Sequence, residues 1–339
     1  MQEQCANTRF GRWSFVCAGV ASLVLGTAGA QTVVKTLPLP GTGGTLALDP
    51  VTNLLYAGGG NPGAVQVDIV DAYAFTVTQS SIAGIDLSVD RLKDNVWVPN
   101  VYSGNVDVYK SGGKQLLATI PLNGCPYGSA YGQDHKQTWV GAQCGSFNDP
   151  VYAIDSTTYE IKAGPIGFGG VFGGLLVNPP TGVAYVNENG CHRIDPVTYA
   201  VTTPPFASTC PLAADGNSGY LYVISGSTLQ IWNGKTTPEK LVANVNLPYQ
   251  VSYTIAVNDA LKHLYIGVSG ANTIDIRNSL NGQEIKEYTN ANLPGIGGAT
   301  LVADSTRGRL YANAGANGGQ VLYVIDDIST IFNLGSLGY

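Results

Sequence analysis

The sequence predicts an all-β fold, a seven-bladed β-propeller of four-stranded antiparallel blades. Three observations predict it. Seven aromatic residues, Tyr56, Trp97, Trp139, Tyr185, Tyr222, Tyr265 and Tyr311, recur at spacings of 41, 42, 46, 37, 43 and 46 residues, and a period near forty with one aromatic per unit marks a propeller blade. Each unit breaks into short runs of alternating apolar and polar residues bounded by Gly, Pro, Asn and Asp, the pattern of strands joined by tight turns. The chain, 339 residues with 44 Gly and only 12% charged residues, exceeds what one compact core usually serves. A repeat array escapes that limit because each unit packs on its neighbours.

The first unit shows what each position needs. Thr45–Asp49 alternates as a short first strand and Pro50–Asn53 supplies a turn. Leu54–Ala57 is the second strand, Val65–Val70 the third and Ala74–Thr78 the fourth. Asp49 recurs as Asp90, Asn178, Asp215, Asn258 and Asp304, with Gly132 the exception. Asp or Asn there bonds the backbone ahead and closes a tight turn, so these acids read as turn chemistry rather than as a site. Ala47 recurs as Ser88, Ala130, Leu176, Ala213, Ala256 and Val302. Mostly small side chains suit an innermost strand crowded near the axis, and the larger aromatic on the second strand fills the wedge between diverging blades.

Residues 1–30 read as a signal peptide. Arg9 and Arg12 precede the apolar run Trp13–Gly26, which is short for a membrane span, and Ala28-Gly29-Ala30 supplies a small-x-small cleavage pattern before Gln31. A retained anchor is the alternative, and no later segment reads as a membrane span. Without the leader the chain carries 15 Lys+Arg against 22 Asp+Glu, a net charge of −7. No cluster of basic residues appears, which argues against a nucleic-acid partner. Four cysteines remain, Cys125, Cys144, Cys191 and Cys210. An even count after an export signal implies two disulfides and a secreted or periplasmic location, and the absence of Asn-x-Ser/Thr sequons points to a bacterial one.

In an up-and-down blade, the loops before the first strand and after the second share one face, and all four cysteines fall in such loops. Reflecting the first hairpin about its turn pairs Cys125 with Cys144, which leaves Cys191 with Cys210. The rival pairing joins Cys144 to Cys191 and Cys125 to Cys210, two blades apart.

Val96-Trp97-Val98-Pro99-Asn100 followed by Ser103-Gly104-Asn105-Val106-Asp107-Val108 resembles the YVTN-type repeat of YncE-like propellers, and Leu264-Tyr265-Ile266-Gly267 and Leu310-Tyr311-Ala312-Asn313 are degenerate copies. The resemblance covers residues 31–339 and implies a single seven-bladed domain. It implies little about activity, because this fold carries many unrelated functions. Some YncE-like proteins are associated with DNA, a property the scarcity of basic residues here does not support. Ring closure needs a strand from one terminus in the sheet made by the other. Residues 32–39, with Val33–Leu39 patterned like Leu116–Leu122, are the expected closing strand of the last blade. Thr330–Leu334 is a second candidate.

Chemistry has few places to sit. His135 and His263 align with turns and read as turn residues. His192 lies on the disulfide-bearing face near Asn187, Glu188, Asn189 and Arg193, a set suited to a general base with an anion-binding partner, or to a surface loop held by a disulfide. Asp86 stands where Thr45, Gly128, Gly174, Pro211, Thr254 and Thr300 stand in the other units and is the one charge in that series. Tyr127, Phe172 and Tyr253 flank the entrances of other first strands and suit a sugar-like or aromatic ligand, or core packing. No haem, P-loop or nucleophile-elbow motif occurs, and the cysteine spacings match no zinc pattern. No cofactor is expected. Related propeller enzymes often hold a divalent metal with converging carboxylate, Asn or His side chains, for which Asp86 alone is placed here. The expected function is a monomeric secreted or periplasmic protein that binds a carbohydrate-like small molecule or a protein partner on the disulfide-bearing face. The alternative is a lactonase-like hydrolase or a lyase at the channel mouth, using His192, Glu188 and Asp86.

Overall fold

The computed structural model describes residues 32–41, 44–58, 66–84, 86–144, 149–206, 208–289, 295–316 and 319–327. The proposed leader 1–30 and Thr330–Leu334 lie outside them. Seven four-stranded antiparallel sheets account for all the strands, and one 3-10 turn, Ile296–Gly298, is the sole helical element among the described residues. Blade 1 runs Leu46–Asp49, Leu54–Ala57, Gln66–Asp71 and Thr76–Ala83 from the axis outward, and blades 2 to 6 repeat that order. The first strand of each blade touches the first strands of both neighbours, blade 7 against blade 1 included, so the ring is closed.

Blade 7 takes its inner three strands, Thr300–Asp304, Arg309–Ala316 and Gly319–Asp326, from the C-terminal end of the described chain. Its outer strand is Thr32–Leu39, running antiparallel to Gly319–Asp326 with Leu37 opposite Leu322 and Leu39 opposite Gln320. Leu37 and Leu39 are buried on that sheet.

The repeat is a repeat of turns as much as of strands. Asp49, Asp90, Asp215 and Asp304 are buried, and each accepts hydrogen bonds from backbone N–H groups two and three residues ahead. A left-handed residue stands just ahead of the second strand in all seven blades, with φ between 51° and 74° at Asn53, Asp94, Lys136, Gly182, Gly219, Lys262 and Gly308, one position before the strand in six blades and two in blade 4. A first-to-second-strand turn of one geometry therefore recurs around the ring. The same device closes third-to-fourth-strand turns, as Asp71, Asp155 and Asp195 accept from the backbone ahead. Both sets of turns lie on one face of the disc, here the turn face. The longer connections occupy the other, the loop face.

The core is seven interfaces rather than one centre. Seven apolar clusters each join two adjacent blades, and each contains one of the seven aromatics, all essentially inaccessible. Four of the tyrosine hydroxyls fasten their blade to the next. Tyr56 Oη pairs with Ser111 Oγ (2.7 Å), Tyr185 donates to Glu239 (2.7 Å), Tyr222 to the Ser279 carbonyl (3.0 Å) and Tyr265 to Asp327 (2.5 Å). A buried tyrosine keeps its polar tip satisfied in this way while its ring fills the wedge.

Candidate functional site

The loop face carries both disulfides, Cys125–Cys144 and Cys191–Cys210, each spanning 19 positions. Between them, off the axis and against blades 1 to 4, opens a cavity of about 370 Å³. Thr45, Asp86, Gly128 and Gly174 line it from equivalent positions of four successive blades, joined by Tyr127, Gln143 and Phe172. The two glycines leave the room that side chains would occupy. A Cβ on Gly128 would lie 3.0 Å from the Phe172 ring and 3.3 Å from Asp86 Oδ2.

Asp86 is held from three blades. Its Oδ1 accepts from Leu87 N (2.8 Å), its Oδ2 from Ser129 N (3.1 Å), and the Thr45 side chain bonds it as well. Burial raises its pKa above the ordinary carboxylate value, and the three hydrogen bonds oppose that rise. The carboxylate sits deep in the ring yet keeps an accessible edge on the cavity. A carboxylate offers about four acceptor sites, so three protein donors leave room for a further hydrogen bond.

Tyr127 is 37% exposed and presents its ring to the cavity wall. Phe172 is 4% exposed and belongs to the core between blades 3 and 4, so it is wall first and contact surface second. Its ring lies over the cross-strand pair Gly128 and Gly141. Tyr253 lies in the first strand of blade 6, and its side chain is outside the described residues. Asn187 ends the second strand of blade 4 at the cavity rim, where its carbonyl accepts from Gly173 N at 2.7 Å.

The structure separates the remaining sequence candidates from this cavity. Glu188 is fully buried, and its Oε1 accepts from Gly170 N at 2.9 Å, pinning the Gly-rich loop 167–173 that leads into blade 4. Burial raises its pKa, helped by the nearby Asp149 charge. His192 stacks on Phe168 with ring centroids 4.5 Å apart, and its Nε2 lies 2.9 Å from the Glu188 carbonyl oxygen. Neither residue lines the cavity with Asp86. Arg193 points the other way along its strand and forms a 3.1 Å ion pair with the buried Glu239 of blade 5. Of the other cavity residues, Thr45, Gly128 and Gly174 entered the sequence reasoning only as the positions equivalent to Asp86, and Gln143 only as the start of the loop 143–149 expected on the binding face. Gln143 had one usable signal, its place beside Cys144 on the disulfide face.

Two further properties bear on ligands. The connections of the loop face contain no Lys or Arg, whereas nearly all the basic residues lie in or next to the tight turns. No group of three His, Cys, Asp or Glu side chains is arranged to hold a metal among the described residues. No helix among them is long and apolar enough to cross a membrane.

No protein-family model and no curated protein matches this sequence. Solved structures do match in shape. The β-propeller domain of Cps50 (Swd1) from Myceliophteria thermophila superposes with a TM-score of 0.67 at 10% identity, over 88% of this chain and 100% of that one. A chain of the mitotic checkpoint complex gives 0.63 at 15% identity, over 87% and 91%. A chain of Kuenenia stuttgartiensis hydrazine synthase gives 0.63 at 16% identity, over 86% and 98%. At these identities the likeness establishes the propeller fold and nothing about activity.

Proposed function

We propose that this protein is a secreted or periplasmic binding propeller whose loop-face cavity takes an uncharged, hydroxyl-rich ligand of the carbohydrate class, free or displayed on a protein partner. The observation that carries the reading is the Asp86 carboxylate facing a cavity it shares with the Tyr127 ring and the Gln143 side chain. An oriented carboxylate accepts from ligand hydroxyls, an exposed aromatic ring covers an apolar C–H face, and an amide both donates and accepts. A face without Lys or Arg offers no counter-charge to an anion. Two disulfides support a location outside the reducing cytoplasm. One structural neighbour is a chain of the mitotic checkpoint complex, so propellers of this shape enter protein assemblies. The YncE-like resemblance agrees with the repeat and leaves the ligand open. The alternative of a hydrolase or lyase rests, at this cavity, on Asp86.

The test is calorimetric or NMR titration with a panel of neutral oligosaccharides. Tyr127→Ala touches an exposed residue and should weaken binding while leaving the thermal transition in place. Asp86→Asn should weaken it by about ten- to a hundredfold, the loss of a charge-assisted hydrogen bond. A panel without a binder, or a binder indifferent to both substitutions, would refute the assignment.

A further inference from the structure

The two disulfides share a span and a face but not an environment. Cys191 is 2% exposed and Cys210 7%, and both lie in the apolar cluster between blades 4 and 5 with Tyr185, Phe206 and Leu221. Cys144 is exposed and Cys125 half-buried. A thiolate attacks a disulfide sulfur only where it has access, so exposed bridges exchange readily and core bridges resist.

The accessible bridge is tied to three walls of the loop-face cavity. It closes the first hairpin of blade 3 at the open end, where Gln143 N donates to the Cys125 carbonyl at 2.8 Å. Gln143 lines the cavity. On the facing strand, Pro126 pairs with Ala142 and Gly128 with Gly141, which leaves Tyr127 as the extra residue of a β-bulge. A bulge re-aims a side chain, and here it turns the Tyr127 ring to the cavity. The third wall is reached through Asp149, which is buried. Its Oδ1 accepts from Cys144 N at 3.0 Å and its Oδ2 from Phe172 N at 3.2 Å. Further along the hairpin, Trp139 and Val140 are fully buried and anchor the blade without help from the bridge. Breaking the bridge therefore frees the hairpin end, with its bulge, and leaves the blade.

We infer that Cys125–Cys144 is a thiol-controlled clasp on the loop-face cavity. Oxidised, it holds the Tyr127, Gln143 and Phe172 walls in the arrangement that receives a ligand. Reduced, it lets them move apart and weakens binding. The inference deepens the carbohydrate-binding reading and rests on it for the ligand, though not for the clasp. The reductant is a dithiol, small or protein-borne. Its thiolate attacks the sulfur of the more exposed Cys144, the Cys125–Cys144 bond breaks, and Cys125 leaves as a thiolate that takes up a proton. The second thiol of the reductant then displaces Cys144 and closes the reductant's own disulfide. Two electrons and two protons pass to the pair, and a disulfide oxidant reverses the exchange.

The experiment treats the full-length folded protein with dithiothreitol, alkylates it with iodoacetamide and maps each cysteine by peptide mass. Cys125 and Cys144 should label at least about tenfold faster than Cys191 and Cys210. Hydrogen exchange in the reduced protein should speed by at least about tenfold at Tyr127–Ala130 and Gly141–Cys144 and stay unchanged at His263–Val268 in blade 6. Oxidised glutathione should restore the slow exchange. The double substitution Cys125→Ser and Cys144→Ser should exchange fast with or without reductant. A bridge that only stabilised the fold would lower the melting temperature without this local change. Maltotriose and cellotriose, titrated before and after reduction, should lose at least about tenfold in affinity. Equal labelling of all four cysteines overturns the proposal. So does exchange at Tyr127–Ala130 that ignores reduction, or an acceleration spread evenly to His263–Val268, or a trisaccharide affinity that reduction leaves unchanged. Trisaccharide binding in neither state refutes the carbohydrate reading, and labelling and exchange then decide the clasp by themselves.

Discussion

Replacing Gly141 by alanine should destabilise the protein through a single contact, and the geometry says how. Gly141 and Gly128 face each other across the first two strands of blade 3, and the Phe172 ring from the approach to blade 4 lies on the flat they leave. A Cβ at Gly141 would lie 2.0, 2.3 and 2.5 Å from three atoms of that ring, a shortfall of roughly 1.5 Å against ordinary carbon contact. The ring has little space to retreat, since it packs in a cluster with Trp139, Val186 and Ile194, and its backbone N–H is held by Asp149 Oδ2 at 3.2 Å. Overpacking of this kind costs about 1–3 kcal/mol. Phe172→Ala alone should cost about 3–5 kcal/mol. With the ring absent, Gly141→Ala should become neutral or stabilising by up to about 1 kcal/mol, because alanine gives up less backbone freedom than glycine in a strand. The double-mutant cycle should then show a coupling of about 2 kcal/mol or more. Guanidinium unfolding followed by tryptophan fluorescence reads all four proteins, with Trp139 in the same cluster as reporter. An equal cost of Gly141→Ala in both backgrounds would refute the cradle argument and with it the account of why the loop-face cavity has its shape.

Two other outcomes follow. Cys125–Cys144 and Cys191–Cys210 each span 19 positions, so chain entropy assigns each about 3 kcal/mol. Paired Cys→Ser variants compared by thermal unfolding should lose similar stability, and a strongly unequal loss would show that native contacts rather than loop length dominate. Burial raises the pKa values of Asp86, Asp68, Glu188 and Asp275 above their unfolded values. Each folded carboxyl therefore keeps its proton where the unfolded one has lost it, and its contribution to stability falls as pH rises from near 3.8 for the aspartates and near 4.5 for Glu188 through the folded pKa. Asp86→Asn should flatten that decline, and an unchanged pH profile in Asp86→Asn would show that Asp86 has no part in it.

The architecture was legible because it is written locally and seven times over. A tyrosine or tryptophan in each second strand and an Asp or Asn closing most first turns impose the same short-range geometry wherever they occur, so a period in the text becomes a period in space. The site was less legible because neighbours in sequence are not neighbours across a strand. His192 and Arg193 are adjacent, yet alternation sends one to Phe168 and the other to Glu239 in the next blade. Glu188 reads as a surface acid beside His192. It is instead drawn inward, because the backbone of a Gly-rich loop needs an acceptor there. Asp86 stood out for the opposite reason. It breaks the pattern of an aligned column, and a departure from a repeat is visible without knowledge of the fold.

The placement of Thr32–Leu39 at the rim of blade 7 orders events in time as well as in space. Among these strands the first to be synthesised waits for the last, since Leu37 and Leu39 have no sheet to join until Gly319–Asp326 has been made. Six sectors can zip up as they appear, but the hoop stays open until the tail arrives and the head returns to it. Shaving a few residues from the front of this strand is therefore equivalent to unlatching the far end of the chain.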